Sequence, residues 1–296
     1  MFDLNSYLVS KSNYINTFLN KLLEETKNSS RIISAMKYSL MAGGKRIRPV
    51  LCIAAAEAVN GKGDNVLPAA CAIEMIHTYS LIHDDLPAID NDILRRGKPT
   101  SHIAFDEATA VLAGDALLTL AFQTLSSIGL KNKDNALKWL SIINIISRAA
   151  GYKGMIEGQM RDIASENVLL NLNELEKMHS LKTGALIEAS VCCGAIIEDS
   201  SPDQIDCLKI YAKNIGLAFQ VTDDILNVEG DPKIMGKAAG TDKTRKKSTY
   251  PSIMGISESR KFVETLADNA LQALSEFDNK SDPLRAIAGY IVKRKK

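Results

Sequence analysis

Between Pro99 and Pro202 lie 102 residues without a proline. Proline breaks helix interiors and central strands alike, so such an interval leaves room for long continuous elements. The pattern inside it selects the element. ATAVLAGDALLTLAFQTLSSIG (108–129) and ALKWLSIINIISRAAG (136–151) are rich in Ala, Leu and Ile, and their apolar positions recur at the 3.6-residue period of a helix. Alternating strand patterns closed by Asn-Gly or Asp-Gly turns are missing. NGKGDN (60–65), EGDPK (229–233) and DNKSDP (278–283) read as loops between helices. No Gly/Ser linker, low-complexity tract or clean repeat divides the chain. The expectation is one all-α domain over residues 1–296, a bundle of ten or more helices; a division near 130–134 is the weaker alternative.

Thirty-six Lys and Arg against 35 Asp and Glu leave a net charge of +1. No global field therefore argues for nucleic acid or a membrane surface, and any functional charge must be local. The five cysteines show no CxxC or Cys/His spacing and read as reduced, core-facing thiols. The first residues lack a basic segment followed by an apolar core, so no signal peptide is expected. No run of 18 consecutive apolar residues is present, which argues against a membrane span. A cytoplasmic protein without stable membrane insertion is the expectation.

Local charge is concentrated in SLIHDDLPAIDNDILRRGKPT (80–100), where Asp84, Asp85, Asp90 and Asp92 fall within nine residues and Arg95 and Arg96 follow. Ile73, His77, Ser80 and Asp84 are spaced 4, 3 and 4 and share one helix face, a stripe that runs from apolar through His to carboxylate. Pro87 disfavours helix at Leu86. The chain should loosen there and let Asp90 return toward Asp84. Hard carboxylate oxygens held together suit Mg²⁺, which takes one or two carboxylates and keeps waters or phosphate oxygens. An EF-hand is a poor fit, because the spacing, the central Gly and the terminal Glu are all wrong.

A second cluster repeats the device. LAFQVTDDILNVEGD (217–231) ends an apolar helical run in Asp223 and Asp224. Gln220, Asp223 and Asn227 lie on one face. Basic elements accompany both clusters: GGKRIRP (43–49), RRGKPT (95–100), LKTGAL (181–186), Gly236–Lys237 and DKTRKKSTYP (242–251). Two carboxylate sets for a metal and separate cations for phosphate make a recipe for holding a diphosphate through a metal bridge. Asp115 and Asp162 read as makers of buried structural hydrogen bonds, His83 and His102 as structural, and Met75 and Trp139 as core or subunit-contact residues.

These motifs, with VLAGDALL, GMIEGQMRDI, KTGALI and GTDKTRKKSTYP, resemble the trans-isoprenyl diphosphate synthases over nearly the whole chain. Among these, the bacterial farnesyl diphosphate synthases are the most similar. The resemblance implies the isoprenoid synthase fold, a helical bundle around a deep central pocket, and a homodimer. It implies short-chain prenyl transfer, in which isopentenyl diphosphate condenses with dimethylallyl or geranyl diphosphate. Geranylgeranyl or geranyl diphosphate is the alternative product, and a non-catalytic partner subunit or a terpene cyclase a more distant reading.

The same resemblance implies that Asp84, Asp90 and Asp223 bind three Mg²⁺ ions, with Asp85 beside the first pair. Arg95, Lys182 and Lys237 would assist the allylic diphosphate, while Lys45, Arg48, Arg96 and His77 would hold isopentenyl diphosphate. Thr183 and Gln220 would direct oxygen dipoles at the developing allylic cation. Asn227 departs from the family's second motif, whose last position is Asp. Chain length is implied by Tyr79, fifth before Asp84, together with the long DDLPAID spacing; both resemble fifteen-carbon specificity. On an ideal helix, however, Tyr79 is rotated about 140° from Asp84.

Overall fold

In a computed structural model the described residues are 2–24, 30–59, 61–229 and 247–294. They are helical almost throughout. The helices are α1 (Leu4–Glu24), α2 (Arg31–Leu40), α3 (Ile47–Ala58), α4 (Leu67–Asp84), α5 (Ser101–Ala104), α6 (Glu107–Lys131), α7 (Ala136–Ala150) and α8 (Met155–Ala164). After them come α9 (Leu172–His179), α10 (Ala185–Ile197), α11 (Pro202–Glu229), α12 (Tyr250–Met254), α13 (Ile256–Gln272) and α14 (Asp282–Lys293). Side chains that close orphan backbone groups mark several starts. Asp106 accepts from the Thr109 N–H at 2.7 Å, and Asn171 with Glu174 forms a reciprocal capping box ahead of α9. Proline stands in the first turn of α4, α12 and α14, where its missing N–H costs nothing.

Burial explains which helices carry weak periodicity. From Leu67 to Ile82, α4 is buried on nearly every side, and α3 and α10 are buried similarly. Around them, α4 packs on α6, α3 on α10, and α11 on α13. A Cβ on Gly194 of α10 would meet the Cys52 carbonyl oxygen of α3 at 2.0 Å, so this crossing is set by the missing side chain. Buried side chains from α1 to α14 join into a single hydrophobic cluster. Met75 and Trp139 belong to it.

Two local readings need correction. Leu94–Arg95 and Lys98–Pro99 pair as a two-residue antiparallel ladder, with Arg96 and Gly97 at φ 52° and 75° across the turn. Positive φ at both central residues matches the twist of a tight hairpin; the clue was Gly97. Asp115 is exposed, not buried. Glu107–Lys131 and Leu172–Ile197 reach membrane-spanning length, at a mean hydropathy of 1.4 each. Scattered polar residues interrupt both, which is why no uninterrupted apolar run appears. The second is 61% buried inside the bundle and behaves as a core helix, whereas the first is only 39% buried.

Candidate active site

The first acidic motif begins where α4 ends. After Asp84 the chain turns through Leu86–Ile89, and the Asp90 N–H donates to the Asp84 carbonyl at 2.8 Å. Pro87 sits in this turn, and the backbone bond brings Asp90 back beside Asp84 as the spacing predicts. Burial pushes the Asp84 carboxyl up to about 6, and the charges of Asp90 and Asp85 add to it against the pull of Lys182 and Arg95. Asp85 has a different partner. It is 3% exposed and accepts from Arg95 Nε at 2.6 and 2.9 Å, while Arg95 also reaches Asp92 at 3.4 Å. This charged fork fixes the hairpin to the end of α4.

Opposite, α9 gives way to a π-helical turn, Ser180–Gly184, before α10. Such turns insert one residue into the helical ladder and re-aim side chains. Here the turn carries Lys182 and the buried Thr183. It lies close against α8, because a Cβ on Gly158 would stand 2.2 Å from the Lys182 backbone nitrogen. Lys182 Nζ meets Asp162 at 2.6 Å, and Lys247 Nζ meets the same oxygen at 2.8 Å while lying 4.0 Å from Asp90. Burial alone would raise the Asp162 carboxyl, but the two ammonium groups hold it below the usual range. The hydrogen bonding expected of Asp162 is therefore made to site lysines. Asp162 joins Lys182 and Lys247, 20 and 85 residues away in the chain, a pairing that sequence spacing did not place. The available clue was a carboxylate inside a packed helix, which requires a cation or donors.

The second motif is presented by α11. Asp224 is buried and accepts the Tyr250 N–H at 3.0 Å, so it anchors the start of α12. Asp223 faces the other way. Its Oδ1 accepts from Arg294, whose guanidinium also lies 3.9 Å over the Phe219 ring. Its Oδ2 receives Gln220 Nε2 at 3.4 Å. Gln220 Oε1 in turn faces His179 Nδ1 at 3.1 Å. In this structure the Gln220 oxygen thus faces an imidazole.

Arg294 also lines a cavity of about 500 Å³ with Gly44, Lys45, Arg48, His77 and Arg96. Apolar walls come from Ile47, Phe219, Ile287 and Tyr290. Arg96 reaches back to the Gly43 carbonyl, and its guanidinium occupies the space a Gly44 side chain would need. Arg48 Nη1 lies 3.3 Å from His77 Nε2. Burial and the neighbouring arginines push His77 well below its ordinary value, so a neutral ring accepts from Arg48. Arg46, between the two expected cations, is buried against Glu74 at 2.6 Å and serves the fold. The sequence-predicted cations of this cavity do converge. Lys237 lies outside the described residues.

Among the described residues, no three carboxylate, His or Cys side chains converge as a ready-made metal cage. The carboxylates of Asp84 and Asp90 after α4 and of Asp223 on α11 suit Mg²⁺, which binds through one or two carboxylates and completes its octahedron with water and substrate phosphate oxygens. Zinc, which wants a closed N/S tetrahedron, is a poor match.

Comparison with known proteins is consistent with this geometry. A family model described as polyprenyl synthetase matches residues 29–286. Over 99% of this chain and 80% of the relative, the sequence is 48% identical to the heterodimeric geranylgeranyl pyrophosphate synthase large subunit 1, chloroplastic, of Arabidopsis thaliana. It is 47% identical to a farnesyl diphosphate synthase of Micrococcus luteus, over 94% and 96% of the two chains. A solved FPP/GFPP synthase from Zymomonas mobilis superposes with a TM-score of 0.86 at 39% identity, covering 98% of each chain. With its all-α bundle, its paired acidic helix ends and this likeness along its length, the chain belongs to the polyprenyl synthetase family and is an enzyme that transfers prenyl groups.

Proposed function

We propose that the chain condenses isopentenyl diphosphate head-to-tail with dimethylallyl or geranyl diphosphate, giving a product of fifteen or twenty carbons. One observation carries this reading: Arg294 joins the cationic cavity to Asp223, so a pocket for one diphosphate abuts a carboxylate for the metal of the other. In this reading Asp84, Asp90 and Asp223 hold three Mg²⁺ ions. When bound, these supply Lewis-acid stabilisation of the departing diphosphate. Lys182, with Lys237 and Arg95, binds the allylic diphosphate. Lys45, Arg48 and Arg96 bind the homoallylic one, and neutral His77 steadies Arg48. Thr183 lines the reacting space. The chain's own contribution is positioning and water exclusion; the roles assigned so far need no protein nucleophile, and the liberated diphosphate takes up the proton.

Near-equal identity to a geranylgeranyl and a farnesyl synthase supports the twenty-carbon product at least as well as the fifteen-carbon one expected from the first motif. Tyr79 is the observation that favours fifteen. Its ring is 6% exposed and meets the His83 ring edge-on at 5.7 Å, a bulky group in the helix just before the aspartates. We also infer a homodimer. Val111 and Leu112 are 40% and 59% exposed on α6, and an apolar groove of about 600 Å³ runs beside them between Leu22, Ile33, Met36 and Leu120; a second copy would cover this face. Five free cysteines, four of them buried, suit a cytoplasmic setting.

The test incubates purified protein with labelled isopentenyl diphosphate, Mg²⁺ and either allylic primer, with a chelator control. Products are sized after dephosphorylation. Metal-dependent extension to fifteen or twenty carbons is expected. No extension of either primer would remove the reading, and activity appearing only on mixing with another synthase subunit would favour a non-catalytic partner.

A further inference from the structure

His179, the last residue of α9, is used by none of the roles above, yet its ring is held from two sides near the second motif. Its ring stacks on Tyr250 at 5.7 Å and 26°. Nδ1 lies 3.1 Å from Gln220 Oε1, and Nε2 is buried with no hydrogen-bond partner.

The direction of every bond in this chain follows from its far end. Asp223 Oδ2 belongs to a carboxylate that also takes the Arg294 guanidinium. Ionised, it can only accept, so the Gln220 group facing it must be the amide NH₂. That choice turns the Gln220 oxygen toward His179. An amide oxygen can only accept, which places the imidazole proton on Nδ1 and leaves Nε2 as a lone pair. Burial, with help from Lys182, holds the ring down to about 4, consistent with a neutral imidazole that has one donor. The Tyr250 stack fixes the plane of the ring, and the Tyr250 N–H is itself tied to Asp224. Both aspartates of the motif are therefore held from one place.

We propose that His179 is a positioning residue: through its Nδ1–H it fixes Gln220 as a donor to Asp223 and so aims that carboxylate for the metal. The inference rests on the reading of Asp223 as a metal ligand and deepens it. Donors that orient a ligating carboxylate are worth about 10–100-fold in metal affinity when removed; one bond further out, the low end applies.

The experiment titrates Mg²⁺ into the full chain by calorimetry in the presence of inorganic diphosphate, with melting curves as a check on folding. His179→Phe keeps a ring on Tyr250 but loses the donor, and is expected to weaken binding about 10-fold. His179→Asn places an amide N–H near the position of Nδ1 and should stay close to wild type. Gln220→Leu leaves the imidazole in place and should lose as much as His179→Phe, with the double variant no worse than either single one. A His179→Phe chain that titrates like wild type overturns the proposal. So does a folded His179→Asn chain that is as weak as Gln220→Leu, an outcome readable even if the Phe variant does not fold. Condensation by the wild-type protein tests the underlying reading separately, because the titration needs no turnover.

Discussion

Asp84 shows what a buried carboxylate at the end of α4 costs the chain. Its carboxyl titrates at about 6, above the usual 3.8, chiefly through burial. A raised carboxyl stabilises the fold fully below its unfolded value and loses that contribution as the pH rises through the folded one. At pH 8 without metal the ionised group is therefore a burden of about 1–3 kcal/mol. Asp84→Asn should be more stable than wild type at pH 8 in chelator, lose this advantage by about pH 4, and turn over little or no substrate. Equal melting points at pH 8 would contradict it. Tyr79 is the other decisive single residue. Its ring is wedged against His83, which occupies the space above Gly114 where a Cβ would lie 2.2 Å from Nε2. Tyr79→Ala is expected to lengthen the main product, read by sizing the alcohols; an unchanged product would release Tyr79 from that role.

At the scale of elements, the π turn against α8 is a sensitive junction. The clash at Gly158 is with the backbone of Lys182, not with the end of a flexible side chain. Gly158→Ala must therefore shift the turn that presents Lys182 and Thr183. Overpacking of this kind costs about 1–3 kcal/mol, and displacement of site groups by ~1 Å costs about 10²-fold in rate. A folded variant with kcat reduced by roughly that factor is expected, while kcat within twofold of wild type would show that the turn tolerates the shift. The acidic helix ends were legible because their causes are local. Helical spacing sets Asp84 on one face with His77 and Ser80, and Asp223 on one face with Gln220, and Pro87 turns the chain back. The hairpin at Arg96–Gly97 was less legible, since Arg-Gly is a weaker turn signal than Asn-Gly.

At the scale of the molecule, α6 pairs a buried side with exposed Val111 and Leu112, and its mean hydropathy is that of a core helix. The proposed second copy of the chain would account for that imbalance. Glutamates at both positions should convert a dimer to a monomer in sedimentation velocity; a wild-type monomer would dismiss the interface. The sequence by itself determined the all-helical class, the two aspartate pairs and the cations of GGKRIRP, because capping, period and turn chemistry act over a few residues. Only the tertiary structure decided who pairs with whom. Asp162 between Lys182 and Lys247, Arg294 on Asp223, and His179 behind Gln220 are contacts across 20 to 85 residues. No local pattern encodes such contacts, since they exist only once the packed helices bring distant side chains into one low-dielectric space.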